Sequence, residues 1–200
     1  MAEPTGEPLA NVVYLRSYGD RDREDHDIVR RVLDATVEMI DEVPYRDLTT
    51  RAIAERAGVA HADLCMFFRS KDAIVAEVYL GLLREAPLAV EVDQSTRTRV
   101  AALFDGLVMM LAERPALAAA CSSALICSEP VVQPIRRRIH AELHRRVCSV
   151  LRSGAWPEVT ETLEFSLVGA MVRASSGSST FRAAADELSH AVDAVLPADS

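Results

Sequence analysis

The chain has 200 residues and a mass of 21.8 kDa; half of its residues are apolar and 26% are charged, which excludes disorder throughout and gives enough apolar material for a real core. A formal net charge of −8 excludes a general polyanion binder, so any contact with nucleic acid must be local. No apolar run approaches the roughly 20 residues that span a bilayer, and the opening MAEPTGEPLA is not a secretory leader. The four cysteines (Cys65, Cys121, Cys127, Cys148) show no metal-type spacing, so a cytoplasmic protein with reduced thiols and no membrane partner is expected.

Alanine occurs 30 times, and 21 arginines stand against one lysine, Lys71. Both alanine and arginine favour helix, and strand-like alternation is absent, so an all-α fold is expected. Residues 1–24, with their prolines, glycines and interleaved charges, read as a flexible arm carrying a short apolar patch, Val12–Leu15. From Asp27 the residues Ile28, Val32, Ala35, Thr36, Met39 and Ile40 recur at spacings of three and four, one face of a helix that Pro44 stops. Thr49 or Thr50 caps a second helix to about Arg56. Gly58 ends it, and a short third runs from about Ala60 to Phe67. Ser70 caps a fourth that continues toward Pro87. The second half predicts helices from Asp93 or Ser95 to about Glu113, from Pro115 to about Ser128, through the arginine-rich stretch ending near Gly154, from Pro157 to the serine run at 175–179, and from Thr180 to Pro197.

The segment Thr50–Phe68, TRAIAERAGVAHADLCMFF, carries the most information. Two short helices that cross closely need a small residue in the first, and Ala54 supplies it. The sharp corner four residues later needs a positive φ, which Gly58 adopts at no steric cost. Ile53, Ala57, Val59, Leu64 and Phe67 fall on the apolar offsets of a small three-helix core, so the pattern is that of a helix-turn-helix.

With Thr49-Thr50, Ile53-Ala54, Ala57-Gly58-Val59, Leu64, Phe68 and Ser70-Lys71-Asp72 in place, the stretch from Asp27 to about Glu77 resembles the N-terminal DNA-binding domain of the TetR family of transcriptional regulators. The resemblance implies an arm (1–24), a helix-turn-helix domain (25–77), and a larger helical effector-binding and dimerisation domain (78–197). It also implies a homodimer that represses a promoter by binding double-stranded operator DNA, and that a small effector releases. Carried over by position, His61, Ala62, Asp63 and Met66 would face base edges or phosphates. Thr49, Thr50, Arg51 and Lys71 would hold phosphate. The departures are Ala62-Asp63, Cys65 and Phe67 where the family commonly has a glycine-threonine pair, a tyrosine and a histidine or tyrosine. Cys65 reads as a small buried replacement of that aromatic. Residues 21–84 hold 10 basic and 13 acidic side chains, although Arg46, Arg51, Arg56 and Arg69 could share one face; few phosphate contacts and a shallow salt dependence are expected.

For the effector, the resemblance points to the helices after Pro87, and the large side chains there are candidate cavity liners: Phe104, Leu107, Met110, Leu111, Leu125, Trp156, Phe165 and Met171. They suggest a hydrophobic or amphipathic small molecule, although core and cavity residues share the same spacing. Arg136–Arg152 has six arginines against one glutamate and reads as a solvated helix face. His140 and His144 stand one turn apart but have no well-placed carboxylate in sequence other than Glu142, so no metal or cofactor is expected. The last two helices, through Leu163, Leu167, Ala170, Met171 and Ala174 and through Phe181, Ala184, Leu188, Ala191, Val192 and Val195, are the expected dimer face. The competing function is a protein-interaction module whose helix-turn-helix has lost DNA affinity, and no nucleophile–base pair suggests an enzyme.

Overall fold

The computed structural model describes residues 10–87 and 93–196, with side chains of the first helix described from residue 23 onward. Nine α-helices and no strand occur among these residues: α1 (Ala10–Glu42), α2 (Thr50–Ala57), α3 (His61–Phe67), α4 (Lys71–Glu85), α5 (Thr96–Met109), α6 (Pro115–Ile126), α7 (Gln133–Leu151), α8 (Pro157–Ser175) and α9 (Phe181–Val195). The fold is all-α. Where the sequence suggested an arm to residue 24, α1 already begins at Ala10. Both prolines of that stretch, Pro4 and Pro8, precede it, and nothing after them forbids helix. Residues 1–9, the side chains of Val12–Leu15, and the end at Pro197 lie outside the described part.

Punctuation acts where side-chain chemistry demands it. Thr49, Ser70, Ser95 and Thr180 each accept a hydrogen bond from the backbone N–H three residues on, closing the starts of α2, α4, α5 and α9. Pro115, Pro134 and Pro157 sit in the first turns of α6, α7 and α8, where a missing N–H costs nothing. Gly58 ends α2 with φ of 64°, its N–H shared between the carbonyls of Ala54 and Glu55.

The head is α1–α3, closed over Val32, Met39, Ile40, Ile53, Leu64 and Phe68. α1 packs against α2 and α3 on one side and against α4 and α6 on the other. α4 is the central pillar. Eight of its residues, including Ile74, Val78, Tyr79 and Leu83, are buried against α1, α6 and α7. α5 packs on α9 and α7, and α8 on α9, α7 and α6. Of the faces assigned from sequence to a dimer contact, Leu163, Leu167, Ala170, Met171 and Ala174 of α8 and Ala184, Leu188 and Val192 of α9 are buried within this body, and Phe181, Ala191 and Val195 are half-buried. The outward stripe of α8 is a different one: Phe165 (76% exposed), Val168 and Val172.

Candidate nucleic-acid interface and apolar cavity

The corner at Gly58 is held from α1, since Arg31 donates to the Gly58 carbonyl at 3.2 Å. It aims α3 so that Leu64 enters the core while His61, Ala62, Cys65 and Met66 face outward, Met66 being 78% exposed. Asp63 is half-buried in the first turn of the helix, where its charge meets the positive helix end. His61 is hydrogen-bonded to Thr50 Oγ1 at 3.1 Å and lies 3.5 Å from Cys65 Sγ. Cys65 is therefore exposed and not the buried filler its position suggested; Phe67, next to it, turns inward instead.

Of the other predicted phosphate holders, Thr49 spends its hydroxyl on the Ala52 N–H at 3.2 Å. Arg51 is exposed with no ion pair among the described residues, as is Arg69 just beyond α3. Lys71 spans the turn before α2: its Nζ donates to the carbonyls of Tyr45 (2.6 Å) and Arg46 (3.1 Å) and lies 4.7 Å over the Tyr45 ring. Tyr45 in turn donates to Asp72 at 2.6 Å, and burial together with that carboxylate drives its phenol far above the ordinary range. Arg56 does not join the other cations on one face. It is forked onto Glu42 at 3.0 and 2.6 Å, on the α1 side.

Between α4, α6, α7 and α8 lies an apolar cavity of about 250 Å³. Leu111, Leu125 and Met171 line it, together with Tyr79, Ala118, Cys121, Ile139 and Leu143, which sequence reasoning had not singled out. Phe104 and Leu107 are buried in the core away from it, and Met110 packs beside that core. Trp156 (67% exposed) and Phe165 are on the surface. The cavity lining is apolar except for Ser122, Arg136 and His140. Tyr79 donates to Met171 Sδ at 3.3 Å, and burial pushes the Cys121 thiol up to about 12 and the Tyr79 phenol higher still. Ser122, Arg136 and His140 are its polar wall, Arg136 donating at 3.0 Å to each of the Leu125 and Cys127 carbonyls.

Residues 32–78 match the model of bacterial regulatory proteins of the tetR family. An HTH-type transcriptional regulator of Mycobacterium tuberculosis is 37% identical over 197 residues, which cover 98% of this chain and 90% of that one. The chain belongs to the TetR family. A TetR transcriptional regulator from Rhodococcus sp. RHA1 shares the fold at a TM-score of 0.72 and 19% identity, over 82% of this chain and 95% of its own. The FadR repressor of Thermus thermophilus, solved with lauroyl-CoA, does so at 0.64 and 15%, over 86% and 96%. This TetR-family chain is thus a DNA-binding transcriptional regulator, and among its described residues no single helix is long and apolar enough to cross a membrane.

The arginine-rich helix of this TetR-family regulator is the solvated face that its composition suggested at Arg137, Arg138, Arg145 and Arg152, but not at Arg146. Arg138 forks onto Glu77 of α4 at 2.9 Å, and Arg146 is 2% exposed, reaching Glu142 (2.8 Å) and the carbonyls of Ala86 (2.9 Å) and Arg84 (3.0 Å). Glu142 is held at about 2, below its ordinary 4.5, first by the hydrogen bond from Arg145 and then, against burial, by Arg146. Because the folded value lies below the unfolded one, this stabilisation is complete above about pH 4.5 and is lost as pH falls toward 2. Urea unfolding followed across that window is expected to show a flatter acid limb for Glu142→Gln; equal slopes would show that the cluster adds nothing.

The same helix brings together groups that are remote in sequence. The buried carboxylate of Glu164, on α8, meets His144 Nδ1 at 2.8 Å and His140 Nε2 at 3.4 Å, while His144 Nε2 lies 3.5 Å from Cys148 Sγ. A carboxylate partner for the histidine pair therefore exists, but it comes from another helix, a placement that no spacing reveals. Among the described residues no three His, Cys, Asp or Glu side chains are arranged to hold a metal.

Proposed function

We propose that this TetR-family regulator is a dimeric repressor whose operator affinity falls when an apolar small molecule fills the cavity between α4, α6, α7 and α8. One observation carries the reading: Tyr79, a cavity wall, sits on α4, and the first turn of α4 is fastened to the head through Asp72–Tyr45 and Lys71–Tyr45/Arg46. A ligand that moves α4 moves α3 with it. A second tie runs from the start of α6, where Arg114 donates to the Val37 carbonyl and to Asp41 of α1 at 2.8 and 2.6 Å. The outward stripe of α8, with Phe165, Val168 and Val172 around Gly169, supports a two-fold contact, since large apolar residues clustered on one face mark interaction surfaces. Two heads then serve two half-sites about one duplex turn apart.

Thr49, Thr50, Arg51 and Lys71 are the phosphate-facing set of this reading, and His61, Ala62, Asp63 and Met66 the base-facing one. Arg51, Arg69 and Lys71 give three cations per head, so the slope of log affinity against log salt is expected near −5 for the dimer, against about −9 for a ten-contact binder. The effector is hydrophobic. A cavity of about 150 Å³ takes benzene, so 250 Å³ takes roughly ten carbon atoms. Because the Thermus FadR structure holds lauroyl-CoA, acyl-CoAs of graded chain length are the first probes. In gel shifts with DNA upstream of its own gene, an effector is expected to weaken operator binding by about 5–150-fold. If ligands that raise the melting temperature leave operator affinity unchanged, the repressor-release mechanism fails.

A further inference from the structure

The recognition surface of α3 has an unusual chemistry for a helix that must discriminate base pairs. Its exposed residues are His61, Ala62, Cys65 and Met66, so it presents no arginine, lysine, asparagine or glutamine. The commonest hydrogen-bonded readings, a cation forked onto guanine or an amide onto adenine, are therefore unavailable to it. His61 is engaged by Thr50 and adjoins Cys65, which leaves Asp63 as the one charged group, an acceptor suited to a cytosine amino group. What α3 offers freely is apolar. Met66 is an unbranched, adaptable side chain standing in solvent, and Ala62 lies one turn before it on the same ridge. The two are about 6 Å apart along the helix axis, on the scale of two base-pair steps.

In the major groove the apolar element of a base edge is the C5-methyl group of thymine. We infer that this regulator reads its half-site through thymine methyl groups, with Met66 and Ala62 as the specificity-determining residues and Arg51 and Arg69 supplying sequence-independent phosphate contacts on either side. The inference rests on the DNA-binding reading above and deepens it: affinity comes from a few flanking cations, and discrimination comes from methyl contacts in place of hydrogen-bonded forks.

The test begins with selection of bound duplexes from a randomised library by the full-length protein at 50 mM salt, followed by affinity measurement on the selected site with thymines replaced one at a time by uracil. Uracil keeps the pairing and removes only the methyl group. Half-sites with thymine under α3 are expected, and each critical uracil should weaken binding by about fourfold. Met66→Ala, which alters a solvent-facing side chain and leaves the core intact, should weaken binding to the thymine site comparably and lose the distinction between thymine and uracil at one position. Met66→Arg should move the preference at that position toward guanine. Uracil duplexes that bind as tightly as thymine ones, or selected sites without thymine under α3, overturn the inference while leaving DNA binding intact. Enrichment of no sequence at all would overturn the DNA-binding reading itself, and this inference with it.

Discussion

Replacing Arg146 with methionine is expected to lower the unfolding free energy by about 3 kcal/mol, the lower end of what breaking a buried ion pair costs. Methionine keeps the length and apolar bulk of the stem, so the measurement isolates the guanidinium. That group serves three acceptors at once: Glu142 and the carbonyls of Arg84 and Ala86. The two carbonyls sit at the end of α4, where no intrahelical donor remains. Each buried acceptor left unmet costs about 1–3 kcal/mol. Glu142 keeps Arg145 as a partner, which holds the total near the low end. Arg146→Lys should recover little, because an ammonium on a flexible stem cannot hold the planar three-way geometry. Urea unfolding at fixed protein concentration should show a lower midpoint with an unchanged slope. A loss under about 1 kcal/mol would mean that water satisfies the end of α4.

The second large effect concerns the cavity. Ala118 is fully buried and lines it, and a phenylalanine there would project its ring into the 250 Å³ void. Ala118→Phe is expected to weaken effector binding by about 100-fold, equivalent to about 2.7 kcal/mol, because ring and ligand compete for one volume. Because the ring fills the volume that the effector would, operator affinity without effector should fall in the direction the effector drives it, by no more than the effector's own effect of about 5–150-fold. Filling a void gains contacts while overpacking costs about 1–3 kcal/mol, so the melting temperature of the variant decides which term dominates. Ligand calorimetry and gel shifts on the same preparation check both halves. A variant that still responds to the effector at wild-type concentrations would place the effector elsewhere.

The head was legible in the sequence because its constraints are local. Gly58, Thr49 and Ser70 each enforce a corner or a cap within a few residues, and each does so in the structure by the expected dihedral or hydrogen bond, while Ala54 is buried in the head. The cavity was much less legible, for a physical reason. Leu107 and Leu111 lie one turn apart near the end of α5, yet Leu107 packs solidly in the core and Leu111 faces the void. What separates them is the distance to helices contributed by other parts of the chain, which periodicity does not encode. Trp156 and Phe165 fail in the opposite way: aromatic character suggested an interior, whereas both stand in solvent. Arg146 and Glu164 show the same limit for charge, since composition alone makes an arginine-rich helix look solvated, and their partners are supplied by α4 and α7.

The near-exclusive use of arginine has a practical corollary. Among the described residues the cations that grip the backbone of another element, from Arg31 at the Gly58 corner to Arg114, Arg136 and Arg146 in the body, are guanidiniums, with Lys71 as the exception. Lys71, beside the recognition helix, is the sole side chain bearing a primary amine. Reductive methylation or mild acylation would therefore leave the guanidinium fastenings chemically untouched and, apart from the terminal α-amine, would modify a single group, the one that ties the first turn of α4 to the Tyr45 and Arg46 carbonyls.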